Sequence, residues 1–249
     1  MSRLRALLFN LAFFGFTTVM CITCLPVLLL PERFVLGVAR LWARGSLGLL
    51  AGIVGLRWQV TGQEHLPAGG GALIAAKHQS AFDTIVWTAL LPRASYVLKR
   101  ELLRIPLYGW YLRRTGMIAV DRAAGASAMR GLIRDGQAAL AQGRQVVIFP
   151  EGTRTAPGAE ARYQPGIAAR YARAGQAVIP VATDSGRFWG RRAFVKRPGT
   201  ITIAILPPIP PGLPRDAFLS RLRDSIEPAS LALAGLSTQP VDKLGETDS

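Results

Sequence analysis

The side chains in this 249-residue sequence best suited to moving a proton are His78 and Asp83, in the stretch KHQSAFDT. An imidazole titrates near neutral pH, and a carboxylate that accepts its N–H fixes the tautomer and makes the other ring nitrogen more basic. A spacing of five works against this pair inside one continuous α-helix, where the two side chains would point roughly 140° apart. The sequence offers another placement. Ser80 is a natural N-cap, and Ser80 to Asp83 has the S-x-x-[DE] form of a capping box. Asp83 would then sit in the first helical turn, with His78 just outside it and free to fold back. The plain alternative is that Asp83 only caps the helix and His78 is an incidental loop residue. Spacing alone leaves both open.

A second group of residues suits an anion. FPEGTRT (149–155) follows directly from the apolar run QVVIF. In an α/β sheet, ligands bind outside the carboxyl ends of strands. Gly152 opens the backbone donors, Thr153 adds a hydroxyl, and Arg154 adds a planar guanidinium that matches phosphate oxygens two at a time. Lys99, which ends the run ASYVLK, and Arg100 after it could reach the same phosphate. The stretch from 105 to 114 is apolar and aromatic and ends in Arg113 and Arg114. It suits either a bilayer interface or a buried helix with snorkelling arginines.

These residues need a scaffold, and the chain patterns as an α/β layered fold with a largely parallel sheet flanked by helices. RWQVTG, GALIAA, ASYVLK, MIAV, QVVIF, AVIPVA and TITIAIL read as strands. AFDTIVWTALL, residues 124–141, PGIAARYARAG and DAFLSRLRDSIEPASLALA read as helices. This domain is expected over 57–235, preceded by membrane-anchoring helices over 1–56 and followed by a disordered tail over 236–249. From Ala6 to Leu30 there is no charge, a length sufficient to cross a bilayer, with Pro26 expected to kink the helix. In the next stretch Arg40 and Arg44 share one helical face, opposite Phe34, Val35, Val38, Leu41 and Trp42. That pattern suits a helix lying in the interface. The result is a membrane-attached helical hairpin.

Composition agrees. Half of the residues are hydrophobic and only 18% are charged, yet the formal net charge is +15. An anionic membrane surface accounts for both the charge and the oil, whereas nucleic acid accounts only for the charge. Cys21-x-x-Cys24 lies in the apolar run with no further cysteine, which argues against a zinc or redox site.

Together the motifs resemble the glycerolipid acyltransferase family. The first block is His78 and Asp83. The second is Lys99, Glu101, Leu102, Ile105, Pro106, Gly109, Gly116, Asp121 and Arg122. The third is Phe149 to Arg154, and the fourth Val178 to Ala182. One departure is Asp184 before Ser185 and Gly186, where these enzymes often carry Asn. The resemblance implies transfer of a fatty acyl group from an acyl-CoA or acyl carrier protein thioester to the 2-hydroxyl of 1-acylglycerol-3-phosphate. In that reaction His78 is the general base and Asp83 its orienting carboxylate. Arg154, Lys99 and Arg122, with Thr153, Gly152 and Arg100, hold the phosphate. Glu151 either binds the acceptor's glycerol or tethers Arg154, the tether being the favoured expectation. Neither a metal nor a cofactor is needed beyond the thioester. The expected location is the inner membrane, with the catalytic domain facing the cytoplasm. Rival acceptors are glycerol-3-phosphate and lyso-ornithine lipid. A rival of another class is a non-catalytic protein that binds anionic lipid, drawing on the cluster RRAFVKR at 191–197.

Overall fold

The structure, a computed structural model, describes residues 2–120, 125–159, 162–164, 166 and 175–236. The expectations for Arg122, for the helix PGIAARYARAG and for the tail after 236 fall outside the described residues.

Each apolar run forms its expected strand: β1 (Leu56–Thr61), β2 (Ala72–Ala76), β3 (Ala94–Lys99), β4 (Ile118–Val120), β5 (Gln145–Ile148), β6 (Val178–Thr183) and β7 (Gly199–Ile205). Among the described residues they make one sheet in the order β1-β7-β6-β2-β5-β3-β4. Strands β6, β2, β5, β3 and β4 run parallel; β7 is antiparallel to β6, and β1 follows β7. Every residue of β2, β5 and β6 is buried. This is why these strands read as unbroken apolar runs rather than alternating ones, since helices cover both faces.

The pleat divides the core in two. Ile74, Ala76, Val147, Ile179 and Val181 face α3 (Phe82–Leu90) and the N-terminal helices. Leu73, Ala75, Val146, Ile148 and Val178 face the other way. There α7 (Arg215–Leu233) presents Phe218, Leu222 and Ile226, all 0% exposed, at a spacing of four along one helical stripe. The helix α5 (Gly125–Ala141) lies on this second face with Ala139, while α4 (Tyr108–Arg114) and the single turn α6 (Ser185–Phe188) are short connectors.

The N-terminal hairpin differs in detail from the sequence expectation. Helix α1 (Ser2–Thr23) stops before Pro26, which lies in a 3-10 turn over Leu25–Leu29. Proline ends the helix here rather than kinking it: it has no N–H to donate, and its ring meets the carbonyl of the preceding turn. Helix α2 (Glu32–Leu49) then returns. It buries Val35, Leu36, Ala43 and Leu47 and leaves Phe34 (45%) and Leu41 (59%) exposed, so the apolar face expected to meet the interface is divided between protein contact and exposure. Helix α1 has two apolar sides. Ala6 and Phe9 are 1% exposed, while Leu4, Leu11, Phe14 and Val19 are 58–65% exposed. The inner side is pinned by Trp42, whose Nε1 donates to Thr17 Oγ1 at 3.0 Å. It is pinned again by Lys196, whose Nζ donates to Asn10 Oδ1 at 2.7 Å. Both helices are long and apolar enough to associate with a membrane.

Candidate active site

The parallel strands deliver the site residues to one edge of the sheet. Chain leaving β2 carries Lys77, His78 and Gln79, and chain leaving the adjacent β5 carries Phe149 to Thr155. Lys99 ends β3, two strands from β2, and both it and Arg100 are exposed.

Asp83 sits in the first turn of α3 and is 3% exposed. Its Oδ2 accepts the backbone N–H groups of Gln79 and Ser80, both at 2.8 Å, and lies 3.0 Å from His78 Nδ1. One half of the expected capping box is therefore present, with the acid reaching back to Ser80. The other half is shifted: Ser80 Oγ accepts from Phe82 N–H at 3.2 Å, and Ala81 is the cap residue. The carboxylate can only accept, so Nδ1 carries the proton and Nε2 keeps its lone pair. His78 folds back from outside the helix, which is how a spacing of five produces contact. Its ring stacks on Phe149, with centroids 4.0 Å apart and planes inclined by 21°.

The FPEGTRT loop also grips the His78 backbone from both sides. Glu151 Oε1 accepts His78 N–H at 3.3 Å, and Thr155 N–H donates to His78 O at 2.8 Å. Gly152 has φ +67°, a conformation that would strain a side-chain-bearing residue.

Glu151 does not tether Arg154. Its carboxylate turns to Lys77 Nζ, 3.3 Å away, with side-chain exposures of 1% and 3%. Lys77 in turn bonds both carboxylate oxygens of Glu227 on α7, at 2.7 and 2.8 Å, and Tyr163 Oη donates to Glu227 Oε1 at 2.8 Å. Burial pushes the Glu151 carboxyl above its ordinary range, and the Lys77 charge offsets part of that. This polar network beneath the histidine went unforeseen. Its available signal was Lys77 itself, because a lysine closing a fully buried strand requires a carboxylate.

Arg154 is half-buried and, among the described residues, makes no salt bridge. Desolvation lowers its pKa, the Asp83 charge raises it, and Arg191 lowers it, so the guanidinium lies within electrostatic reach of Asp83. Thr153 is exposed beside it. At Asp184 the departure from the family pattern is accommodated: Oδ1 accepts Thr202 N–H at 2.8 Å, and burial raises the carboxyl's pKa. An apolar slot of about 50 Å³ opens between the hairpin and β3, lined among others by Met20, Val38, Ala39, Trp42, Tyr96 and Met117.

A buried imidazole oriented by a carboxylate, with a guanidinium nearby that makes no salt bridge among the described residues, can deprotonate a hydroxyl on a phosphorylated molecule. The comparisons point the same way. A family model described as Acyltransferase matches residues 57–184. A 1-acyl-sn-glycerol-3-phosphate acyltransferase of Pseudomonas aeruginosa is 36% identical over 170 residues, 68% of this chain and 66% of that protein. The human 1-acyl-sn-glycerol-3-phosphate acyltransferase alpha is 28% identical over 225 residues, covering 88% of this chain and 79% of that one. In fold, the chain is similar to the 1-acyl-sn-glycerophosphate (LPA) acyltransferase PlsC of Thermotoga maritima. The TM-score is 0.79 at 20% identity, over 96% of this chain and 100% of the other.

Proposed function

Because this chain belongs to the Acyltransferase family, we propose that it acylates the 2-hydroxyl of 1-acylglycerol-3-phosphate from a fatty acyl thioester, giving phosphatidate. The observation that carries this reading is the 3.0 Å contact of His78 Nδ1 with Asp83 Oδ2, which leaves Nε2 as the base. Nε2 takes the hydroxyl proton as the oxygen attacks the thioester carbonyl. Asp83 stabilises the imidazolium that forms. The tetrahedral intermediate collapses by breaking the C–S bond, and the departing thiolate takes the proton back from Nε2. Ester and free thiol are the products, and His78 is restored.

Arg154 and Lys99 supply the cations for the acceptor's phosphate, with the Thr153 hydroxyl as a further donor; the Gly152 N–H, expected to join them, is instead given to Phe149 O at 2.9 Å. Glu151 holds the His78 backbone. The apolar hairpin explains how a protein reaches an acceptor dissolved in lipid. We place it on the inner membrane with the site facing the cytoplasm, a topology that Arg3 and Arg5 at the start of α1 favour.

The test is an acylation panel with full-length protein. It crosses lysophosphatidate, glycerol-3-phosphate and lyso-ornithine lipid with both donor types, read by mass spectrometry of the lipid product. Phosphatidate as the dominant product, lost in His78→Ala, is expected. Preferential acylation of lyso-ornithine lipid, or near-parental turnover by His78→Ala, would overturn the reading.

A further inference from the structure

Beside the catalytic pair lies a second, larger recess that the acceptor's single phosphate does not account for. It is an open groove of about 970 Å³, at the top of the range of roughly 300–1,000 Å³ usual for small-molecule sites. Three guanidinium-bearing residues line it from separate parts of the chain: Arg3 of α1, Arg187 of α6 and Arg197. All three are exposed, and among the described residues none makes a salt bridge. Two phenyl rings, Phe188 and Phe194, complete the lining; Phe194 is 49% exposed, and the Arg187 guanidinium lies 5.7 Å from the Phe188 centroid.

The groove adjoins the site at Gly186. Gly186, which lines it, donates its N–H to Gln79 Oε1 at 2.9 Å, and Gln79 follows His78 in sequence. A Cβ on Gly186 would come within 2.9 Å of both Gln79 Cβ and Pro157 Cδ. On the phosphate-loop side, Arg191 Nη1 donates to Arg154 O at 3.5 Å, so the basic surface is continuous from Arg154 toward the groove.

Guanidinium groups that make no salt bridge among the described residues, lining one groove with the exposed Phe194 and the half-buried Phe188, suit a ligand with several phosphates and a planar ring. On the acyl-transfer reading above, on which this inference rests, one substrate remains to be housed: the thioester donor. We propose that the groove binds the phosphorylated adenosine end of an acyl-coenzyme A. The adenine lies on Phe194 or Phe188, the phosphates meet Arg187, Arg197 and Arg3, and the pantetheine arm passes Gly186 toward His78. A carrier protein would instead dock across a flatter face of about 800 Å² per partner. The concavity therefore favours the nucleotide.

The experiment uses full-length protein in detergent micelles and lysophosphatidate as acceptor. It compares kcat/KM for acyl-CoA, acyl-pantetheine and acyl carrier protein between the parent and Arg187→Ala/Arg197→Ala. The preference for acyl-CoA over acyl-pantetheine should fall about tenfold or more in the variant, as expected of lost charge-assisted hydrogen bonds. Calorimetric binding of desulfo-coenzyme A should weaken by a similar factor. An unchanged preference, or a loss confined to acyl carrier protein, overturns the proposal. If no thioester is used by the parent, yet desulfo-coenzyme A binds it and not the variant, acyl transfer fails while the nucleotide site stands.

Discussion

Replacing Lys77 with Met removes the cation from the network beneath the histidine without leaving a large void. Its two carboxylate partners would respond differently. Glu227 is 21% exposed and can be rehydrated, whereas Glu151 is 1% exposed and cannot. Stranding one member of a buried ion pair costs about 3–5 kcal/mol. For a chain of this size that corresponds to an apparent Tm lower by about 6–20 °C. The loss should depend on pH. Burial already holds the Glu151 carboxyl above its ordinary value of 4.5, and Lys77 is the chief cause opposing that rise, so its removal moves the carboxyl further up. A carboxyl raised in the folded chain contributes stability that is present below its unfolded pKa and lost as pH rises through the folded one. The deficit of Lys77→Met should therefore shrink between about pH 8 and about pH 5. The assay is tryptophan-fluorescence melting of detergent-solubilised protein across that range, with Lys77→Met/Glu151→Gln as the companion. Removing the stranded charge should recover most of the lost stability. A Lys77→Met protein melting within about 2 °C of the parent at the higher pH would refute the reasoning, as would a double variant no more stable than the single.

Four further outcomes are expected. His78→Ala should lower acyl transfer by about 10²–10⁴-fold, measured by steady-state turnover of the purified variant. Asp83→Asn should reduce kcat about 10²-fold or more by presenting an amide to Nδ1, and Asp83→Ala should in addition melt lower, because the Gln79 and Ser80 amides lose their acceptor. Arg154→Ala should raise KM for lysophosphatidate by about 10–100-fold while altering a phosphate-free acceptor far less, measured by steady-state kinetics on both. The apolar slot beside β3 is lined by side chains that suit an acyl chain, so Ala39→Phe, which fills it, should shift donor preference toward shorter acyl chains in a competition assay; an unchanged chain profile would refute that use of the slot.

The parallel sheet was legible because its central strands are buried on both faces and so read as short, unbroken apolar runs between turn residues. The contact between His78 and Asp83 was half legible. The capping motif placed the acid in the first turn, but the distribution of hydrogen bonds among Ser80, Ala81 and Phe82 depends on backbone angles that residue types do not specify. The partnership of Lys77 with Glu227 was hidden by a separation of 150 residues, and only the packing of α7 against the sheet brings them together. The two-sidedness of α1 escaped for a different reason. Both sides are apolar, so no periodic contrast separates residues that meet protein, such as Phe9, from those that face outward, such as Leu11.

That first helix has a consequence for any attempt to obtain the enzyme without its anchor. Phe9 packs edge-on against Trp189, and the Lys196 ammonium, 4% exposed, has Asn10 as its one side-chain hydrogen-bond partner among the described residues. Cutting the chain after Thr23 would uncover that aromatic wall, leave the lysine with a single carbonyl acceptor, and remove Arg3 from the groove. The segment that holds the protein to lipid is thus also part of the catalytic body. Truncation at that point would therefore cost folded structure as well as the apolar segment.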